Sequence, residues 1–236
     1  MAGPVALIGA GEFLPEMADF DLGLLAATGR ARPRVVILPT ASYPDGEAVF
    51  QRWAEMGVAH FRSLGAEVEP VLVRDRAAAD DAAAVQAVGE ADLVYLSGGK
   101  PGHLLDALDG TALADALTAA HDRGAVVAGC SAGAMAMAGQ AWAVRARVLP
   151  WPLRWRPGLG FVPGASVLPH YDAWPEPLAA IAALQAPRGT RVVGIDEGTA
   201  VVGRNGAWQV HGRARVTVWR GRRRERYRAG EAFGLD

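Results

Sequence analysis

Gly129-Cys130-Ser131-Ala132-Gly133 sets a serine between two glycines, each two residues away. The apolar, β-branched run Val126-Val127-Ala128 precedes it, and a stretch of small residues follows as far as Gly139. That order predicts strand, sharp turn and helix, with the hydroxyl at the apex, which is the arrangement of a nucleophile elbow. The backbone of such a turn passes so close to its neighbours that glycine is wanted on both sides. The helix that follows would aim its first N–H groups at whatever Ser131 attacks. Without that context the same residues would be a buried Gly/Ala turn with an incidental serine. Strand before and helix after favour the nucleophile.

A serine nucleophile needs a base to take its proton and an acid to orient the base. The chain has 5 histidines. His60 falls on the apolar face of a helical stretch and His121 near a helix end, which marks both as structural; His211 sits among the last strands. His103 follows the glycine-rich segment Ser97-Gly98-Gly99-Lys100-Pro101-Gly102 and is a candidate pocket residue. His170 ends the short apolar run Val167-Leu168-Pro169. In a doubly wound sheet, sites gather at the carboxyl ends of strands, so His170 is the candidate base.

From Ala132 to Pro169 there is no Asp or Glu. The order Ser–acid–His of the α/β-hydrolases is therefore unavailable between these two residues. A downstream acid gives Ser–His–acid, with Asp172, Glu176, Asp196 and Glu197 the nearest candidates. Asp196-Glu197 directly follows the strand-like run 192–195 and is preferred, with Asp172 as the rival. A second oxyanion donor should come from another loop at the same sheet edge. Gly98-Gly99 suits it, because glycines let backbone N–H groups approach a reacting carbonyl.

These residues need a scaffold that carries them to one edge. Val5-Ala6-Leu7-Ile8, 34–38, 68–73, 92–96 and the elbow run predict buried strands, and 17–27, 47–64, 77–88, 103–108 and 112–123 predict helices. Strands alternating with helices mean βαβ units, hence an α/β fold with a doubly wound, mostly parallel sheet flanked by helices. The 9–12 turn, Gly9-Ala10-Gly11-Glu12, lacks the third glycine of a dinucleotide fingerprint, since Leu14 stands there. A tight βα turn beside the active-site edge is expected instead. From Thr199 the period becomes two, with Asn205-Gly206 as a hairpin signal, so 199–229 should form an antiparallel meander on one edge. The basic run 220–228 then becomes a solvated hairpin. Trp142, Trp151, Trp155 and Trp174 crowd a Pro- and Arg-rich segment. Two uses compete for it, a wall or lid over the site and a subunit contact in a homodimer, and the first is preferred.

The whole chain sets the outer limits. Its 236 residues, 51% hydrophobic and with a net charge of -1, suit one domain over 1–236 with a substantial core. Near-neutral charge gives no argument for a nucleic-acid or membrane partner. A single cysteine provides no disulfide framework, and without a Cys/His cluster neither a metal nor another cofactor is expected. The N-terminus has no basic, long-apolar leader pattern, so a cytoplasmic location is the expectation.

Four stretches, in order and spread over most of the chain, resemble peptidase family S51, which includes aspartyl dipeptidase (peptidase E) and cyanophycinase. They are Leu96-Ser97-Gly98-Gly99-Lys100, the elbow Gly129-Cys130-Ser131-Ala132-Gly133-Ala134, Pro169-His170-Tyr171, and Gly194-Ile195-Asp196-Glu197-Gly198-Thr199-Ala200. The resemblance implies a flavodoxin-like fold of the class I glutamine amidotransferase type and a Ser131–His170–Glu197 triad. It implies oxyanion N–H groups from Ala132 and from a loop glycine, placed at Gly99, with Gly98 beside the substrate. It also implies a small peptide or isoaspartyl-type amide as substrate. The amidotransferases proper carry cysteine at the elbow centre, whereas here Cys130 falls one residue short of it. The chain departs from the family in Lys100, its one lysine, where Asn or Asp is usual; a carboxylate-binding role is the expectation.

Overall fold

The computed structural model describes residues 1–142, 152–204 and 206–235. Its first half alternates strand and helix. β1 (Val5–Ile8) leads to α1 (Ala18–Ala27), β2 (Arg34–Leu38) to α2 (Glu47–Ser63), and β3 (Glu67–Pro70) to α3 (Ala82–Glu90). β4 (Leu93–Leu96) is followed by α4 (Pro101–Leu108) and α5 (Ala112–Arg123), and β5 (Val126–Cys130) runs into α6 (Ala132–Met137) with Ser131 between them. These strands pair in parallel in the order β1-β5-β4-β2-β3.

Parallel strands that are apolar at successive positions need cover on both faces. The side chains divide accordingly. Val5, Leu7, Val36, Leu38, Val94 and Leu96 enter one core with residues such as Val88, Leu104 and Leu117 of α3, α4 and α5. Ala6, Ile8, Val35, Ile37, Leu93 and Tyr95 enter the other with Leu24 of α1 and Phe61 of α2. The two-residue period of the strands thus builds a three-layer α/β/α body.

The second half supplies β6 (Gln140–Trp142), β7 (Trp155–Pro157), β8 (Ala165–Leu168), α7 (Glu176–Gln185), β9 (Arg191–Ile195) and β10 (Thr199–Arg204). β11 (Ala207–Gly212), β12 (Arg215–Arg220), β13 (Arg223–Arg228) and β14 (Ala232–Gly234) complete the chain. The expected edge meander is divided between two sheets. β10, β11 and β14 extend the main sheet antiparallel from β1, whereas β12 and β13 pair with β9 and β8 in a separate sheet of four. The switch falls at Gly212, whose φ is 99° and where a Cβ would overlap the Gly198 carbonyl. Only glycine lets the chain turn that sharply there. Val216 and Val218 on β12 still reach the main core beside Val193 and Ile195 of β9.

Within the hairpin β10–β11, Arg204 lies opposite Ala207; Asn205 itself lies outside the described residues. The basic run forms the hairpin β12–β13, with Arg224 and Arg226 both reaching Glu176 of α7.

Trp142, Trp155 and Trp174 do not line the cleft that holds Ser131. Trp142 packs against Trp155 and Trp174, with ring centroids 6.2 and 5.6 Å away, in a cluster with Met135, Leu168, Tyr171 and Trp219. Burying these rings joins α6, the second sheet and α7 into a satellite core, which corrects the expected wall or lid for these three. Trp151 lies outside the described residues. Among those described, no helix is long and apolar enough to cross a membrane.

Candidate active site

The sharp turn between β5 and α6 puts Ser131 at φ 49° and ψ -107°. Two hydrogen bonds hold it there: its N–H donates to the Ile8 carbonyl and its carbonyl accepts from Met135 N–H, each at 3.0 Å. The flanking glycines serve packing as well as conformation. A Cβ on Gly133 would overlap the Leu96 carbonyl, and one on Gly129 would collide with Met137 Sδ and the Gly133 backbone. Three strands therefore converge on the serine.

Ser131 Oγ lies 3.0 Å from His170 Nε2. His170 leaves β8 in the left-handed region, φ 49° and ψ 41°, and opens the short turn Tyr171–Ala173. That turn is anchored by Tyr171, whose ring occupies the space a Cβ of Gly194 would need and whose hydroxyl accepts from Trp219 Nε1 at 2.9 Å. The segments Pro169-His170-Tyr171 and Gly194–Gly198 thus interlock physically.

His170 Nδ1 meets Glu197 Oε1 at 2.7 Å. The neighbouring acids are used differently. Asp172 Oδ1 accepts the backbone N–H of Glu197 at 3.0 Å, fixing the residue from behind. Asp196, 3% exposed, turns to Arg215, whose Nε stands 3.3 Å from its Oδ2. Burial raises the Asp196 pKa, partly offset by Arg215. Glu176 takes Arg224 and Arg226. Gly198 N–H donates to the Ala10 carbonyl at 3.2 Å, tying the Glu197 turn to the end of β1.

The glycine loop after β4 has a definite hydrogen-bond pattern. Ser97 N–H donates to Leu38, Gly98 N–H to Glu12 Oε1 at 2.9 Å, and Lys100 N–H to Ala41 at 2.6 Å. Gly99 N–H and Ala132 N–H have no partner among the described hydrogen bonds. Gly99 sits at φ 139°, and a Cβ there would overlap the Ala41 carbonyl. Gly98 borders the cleft, but its donor is consumed by Glu12.

Around Ser131, His170 and Glu197 lies a cavity of about 450 Å³, walled also by Gly98, Gly99, Glu12, Trp53 and Arg213. A second cavity of the same size opens elsewhere, between His121, Phe161 and Trp208, and holds no serine or carboxylate. The chemistry therefore belongs to the first. Two expected substrate contacts stand apart from that wall. Neither Lys100 nor His103 lines the cavity: Lys100 Nζ pairs at 3.1 Å with Asp45, which does line it, and His103 Nε2 bonds the Arg74 carbonyl at 2.8 Å with its ring beside Tyr43. Lys100 caps α4 and His103 lies in its first turn, and their side chains meet Asp45 and the Arg74 carbonyl instead of the serine.

The other histidines are occupied elsewhere: His60 Nε2 meets Asp21 at 2.7 Å, His121 Nε2 the Gly3 carbonyl at 3.0 Å, and His211 faces Phe20. Two cleft residues, Glu12 and Arg213, and one beside the cleft, Asp172, have roles that sequence reading does not state. Glu12 had a signal, an acid closing a glycine-rich turn after β1. Asp172, a candidate acid in the sequence, accepts the Glu197 N–H. Arg213, which lies over Gly198 and approaches Glu16 at 3.7 Å, is one arginine among many and had none. No cluster of three or more His, Cys, Asp or Glu among the described residues is arranged to hold a metal.

A parallel sheet flanked by helices, extended by antiparallel strands late in the chain, is the architecture of the peptidase E-like α/β peptidases. Within that class the chain belongs to peptidase family S51, whose model matches residues 5–211. It is 31% identical over 170 residues to the uncharacterized peptidase YgaJ of Bacillus subtilis (strain 168), covering 71% of this chain and 68% of that protein. The crystal structure of a peptidase from an acI-B1 Actinobacterium superposes with a TM-score of 0.88 at 31% identity, over 99% of this chain and 97% of that one. A putative peptidase E protein from Listeria monocytogenes EGD-e shares the fold, with a TM-score of 0.65 at 20% identity over 91% of this chain and 100% of that one.

Proposed function

We propose that this peptidase is a serine hydrolase that cleaves small peptides or isoaspartyl-type amides. One observation carries the assignment: the unbroken relay from Ser131 Oγ to His170 Nε2, 3.0 Å, and from His170 Nδ1 to Glu197 Oε1, 2.7 Å. Ser131 attacks the carbonyl carbon while its proton passes to His170 Nε2, and Glu197 holds the resulting imidazolium. The oxyanion takes the N–H groups of Gly99 and Ala132. His170 returns the proton to the leaving amine as the C–N bond breaks. It then deprotonates the water that releases the acyl group from Ser131.

Arg213, and not Lys100, supplies the cation of the cleft wall. Its guanidinium suits a substrate carboxylate better than a point charge does, because its planar fork matches two oxygens. A peptide with an anionic group near the scissile bond is therefore the favoured substrate.

The test is labelling with a fluorophosphonate probe, followed by a panel of dipeptides, isoaspartyl dipeptides and acyl esters. Wild type should be modified at Ser131 and should turn over peptides. Labelling that persists in Ser131→Ala removes the nucleophile assignment. Turnover confined to the esters removes the peptide one.

A further inference from the structure

We propose that Glu12 is a positioning residue that sets the two arms of the oxyanion hole against each other, a role that rests on the serine-hydrolase reading above. Glu12 is 7% exposed and uses both carboxylate oxygens. Oε1 accepts the Gly98 N–H at 2.9 Å, and Oε2 accepts the Cys130 thiol at 2.8 Å. One bond therefore reaches the loop that offers Gly99 N–H. The other reaches the residue immediately before Ser131, on the turn that offers Ala132 N–H.

The strand order explains why a single side chain can do this. β1 lies beside β5, and β5 beside β4. Glu12, in the turn after β1, reaches across the end of β5 to the loop of β4. Its own direction is fixed by Phe13, which sits at φ 64° with its ring 5.0 Å from that of Tyr95 and buried in the core under α1 and α2. A non-glycine residue stays in that region only where its surroundings over-determine it.

The loop needs such a tie. Gly98-Gly99 has few conformational restraints of its own, and a Gly pair loses more freedom on ordering than any other. With Ser97, Gly98 and Lys100 N–H groups all engaged, Gly99 N–H is the one donor of the four without a partner among the described hydrogen bonds, and Gly99 lines the cleft. Removing the carboxylate would free the Gly98 peptide and, with it, the aim of the next N–H. It would also leave the thiol of Cys130 without its acceptor. The fit is tight, since a Cβ on Gly98 would lie 2.7 Å from Glu12 Oε1 and 3.4 Å from Ser131 Cβ.

The experiment compares wild type, Glu12→Ala and Glu12→Gln. It follows kcat and KM on a turned-over peptide, the rate of Ser131 phosphonylation, and amide exchange of residues 97–100. Glu12→Ala should lower kcat roughly 100-fold, the scale of losing one oxyanion donor, with KM changed by less than about threefold. Its loop amides should exchange faster. Glu12→Gln keeps an oxygen for the Gly98 N–H and should recover kcat to within about tenfold of wild type. A glutamine as inactive as alanine would mean that the charge acts directly, and would overturn the proposal. So would wild-type exchange of the loop in Glu12→Ala. Should wild type neither label nor turn over peptides, the hydrolase reading fails on its own, and the exchange arm still decides whether Glu12 clamps the loop.

Discussion

Ser131 and His170, 3.0 Å apart across a hydrogen bond, share the same backbone anomaly, a φ of 49°. Among the described residues only one other non-glycine, Phe13, has positive φ. Left-handed conformations cost an L-residue roughly 1–2 kcal/mol. Here the reacting pair carries that cost, in the manner of strain concentrated at functional sites.

Glycine should relieve that strain where alanine does not. Ser131→Gly and His170→Gly are each expected to be about 1 kcal/mol more stable than the corresponding alanine variant. Denaturant titration checks this, because both variants of a pair lack the functional side chain and differ in backbone freedom. Equal midpoints within a pair would mean that the neighbours, and not the residue itself, absorb the strain. All four variants should be inactive.

The three acids near His170 should separate by role. Glu197→Gln keeps the shape but not the charge that holds the imidazolium, and a loss of about 10³–10⁴ in kcat is expected. Asp172→Asn weakens the bond to the Glu197 N–H without touching the histidine, so a loss of about tenfold is expected through misalignment. Asp196→Asn should change kcat least, since its carboxylate faces Arg215. Steady-state kinetics on one peptide gives the order, and a larger effect for Asp172 than for Glu197 would reassign the acid.

The sequence carried the features that depend on local backbone demands. The elbow glycines, the strands with successive apolar residues and the Pro169-His170-Tyr171 turn each state their own geometry, so the α/β sheet and the pairing of Ser131 with His170 are legible in the residues, whereas only the family resemblance separates Glu197 from Asp172 and Asp196. What escaped depended on where side chains reach. Lys100 follows the glycine loop in sequence, but its ammonium is taken by Asp45 of the cavity wall. Arg213 enters the cleft because Gly212 turns the chain from one sheet to the other, a long-range event with no periodic trace. The split of the late strands between two sheets escaped for the same reason: period two marks β10 through β13 equally and says nothing of their partners.

Cys130 should be chemically silent in the folded protein. It is fully buried, and both burial and the adjacent Glu12 push its thiol pKa well above the ordinary value. The thiolate is the reactive form, so native protein at about pH 8 should resist iodoacetamide while unfolded protein is alkylated completely. Mass spectrometry after each treatment checks this. Alkylation of the native protein at a rate near that of the unfolded chain would show that Cys130 is accessible. It would also reopen the neighbouring cysteine as a nucleophile.

Arg215 should stabilise the fold in a pH-dependent way through Asp196. The carboxylate of Asp196 is buried, its Oδ1 has no hydrogen-bond partner among the described residues, and Arg215 meets its Oδ2. Burial raises its pKa above the ordinary carboxylate range, and Arg215 is the chief influence in the opposite direction. A raised folded pKa means that the native state holds a proton the unfolded chain has released. The stability this contributes is full below about 3.8 and is lost as pH rises through the folded pKa. Arg215→Met keeps the stem but removes the charge, so the folded pKa climbs further and the ionised carboxylate is left alone. The variant should lose about 1–2 kcal/mol at pH 7, less than for a fully buried pair because the arginine is half-exposed, and less again near pH 4. Adding Asp196→Asn should abolish that difference between the two pH values. A loss that stays constant with pH in Arg215→Met would place the contribution of Arg215 in packing and not in charge.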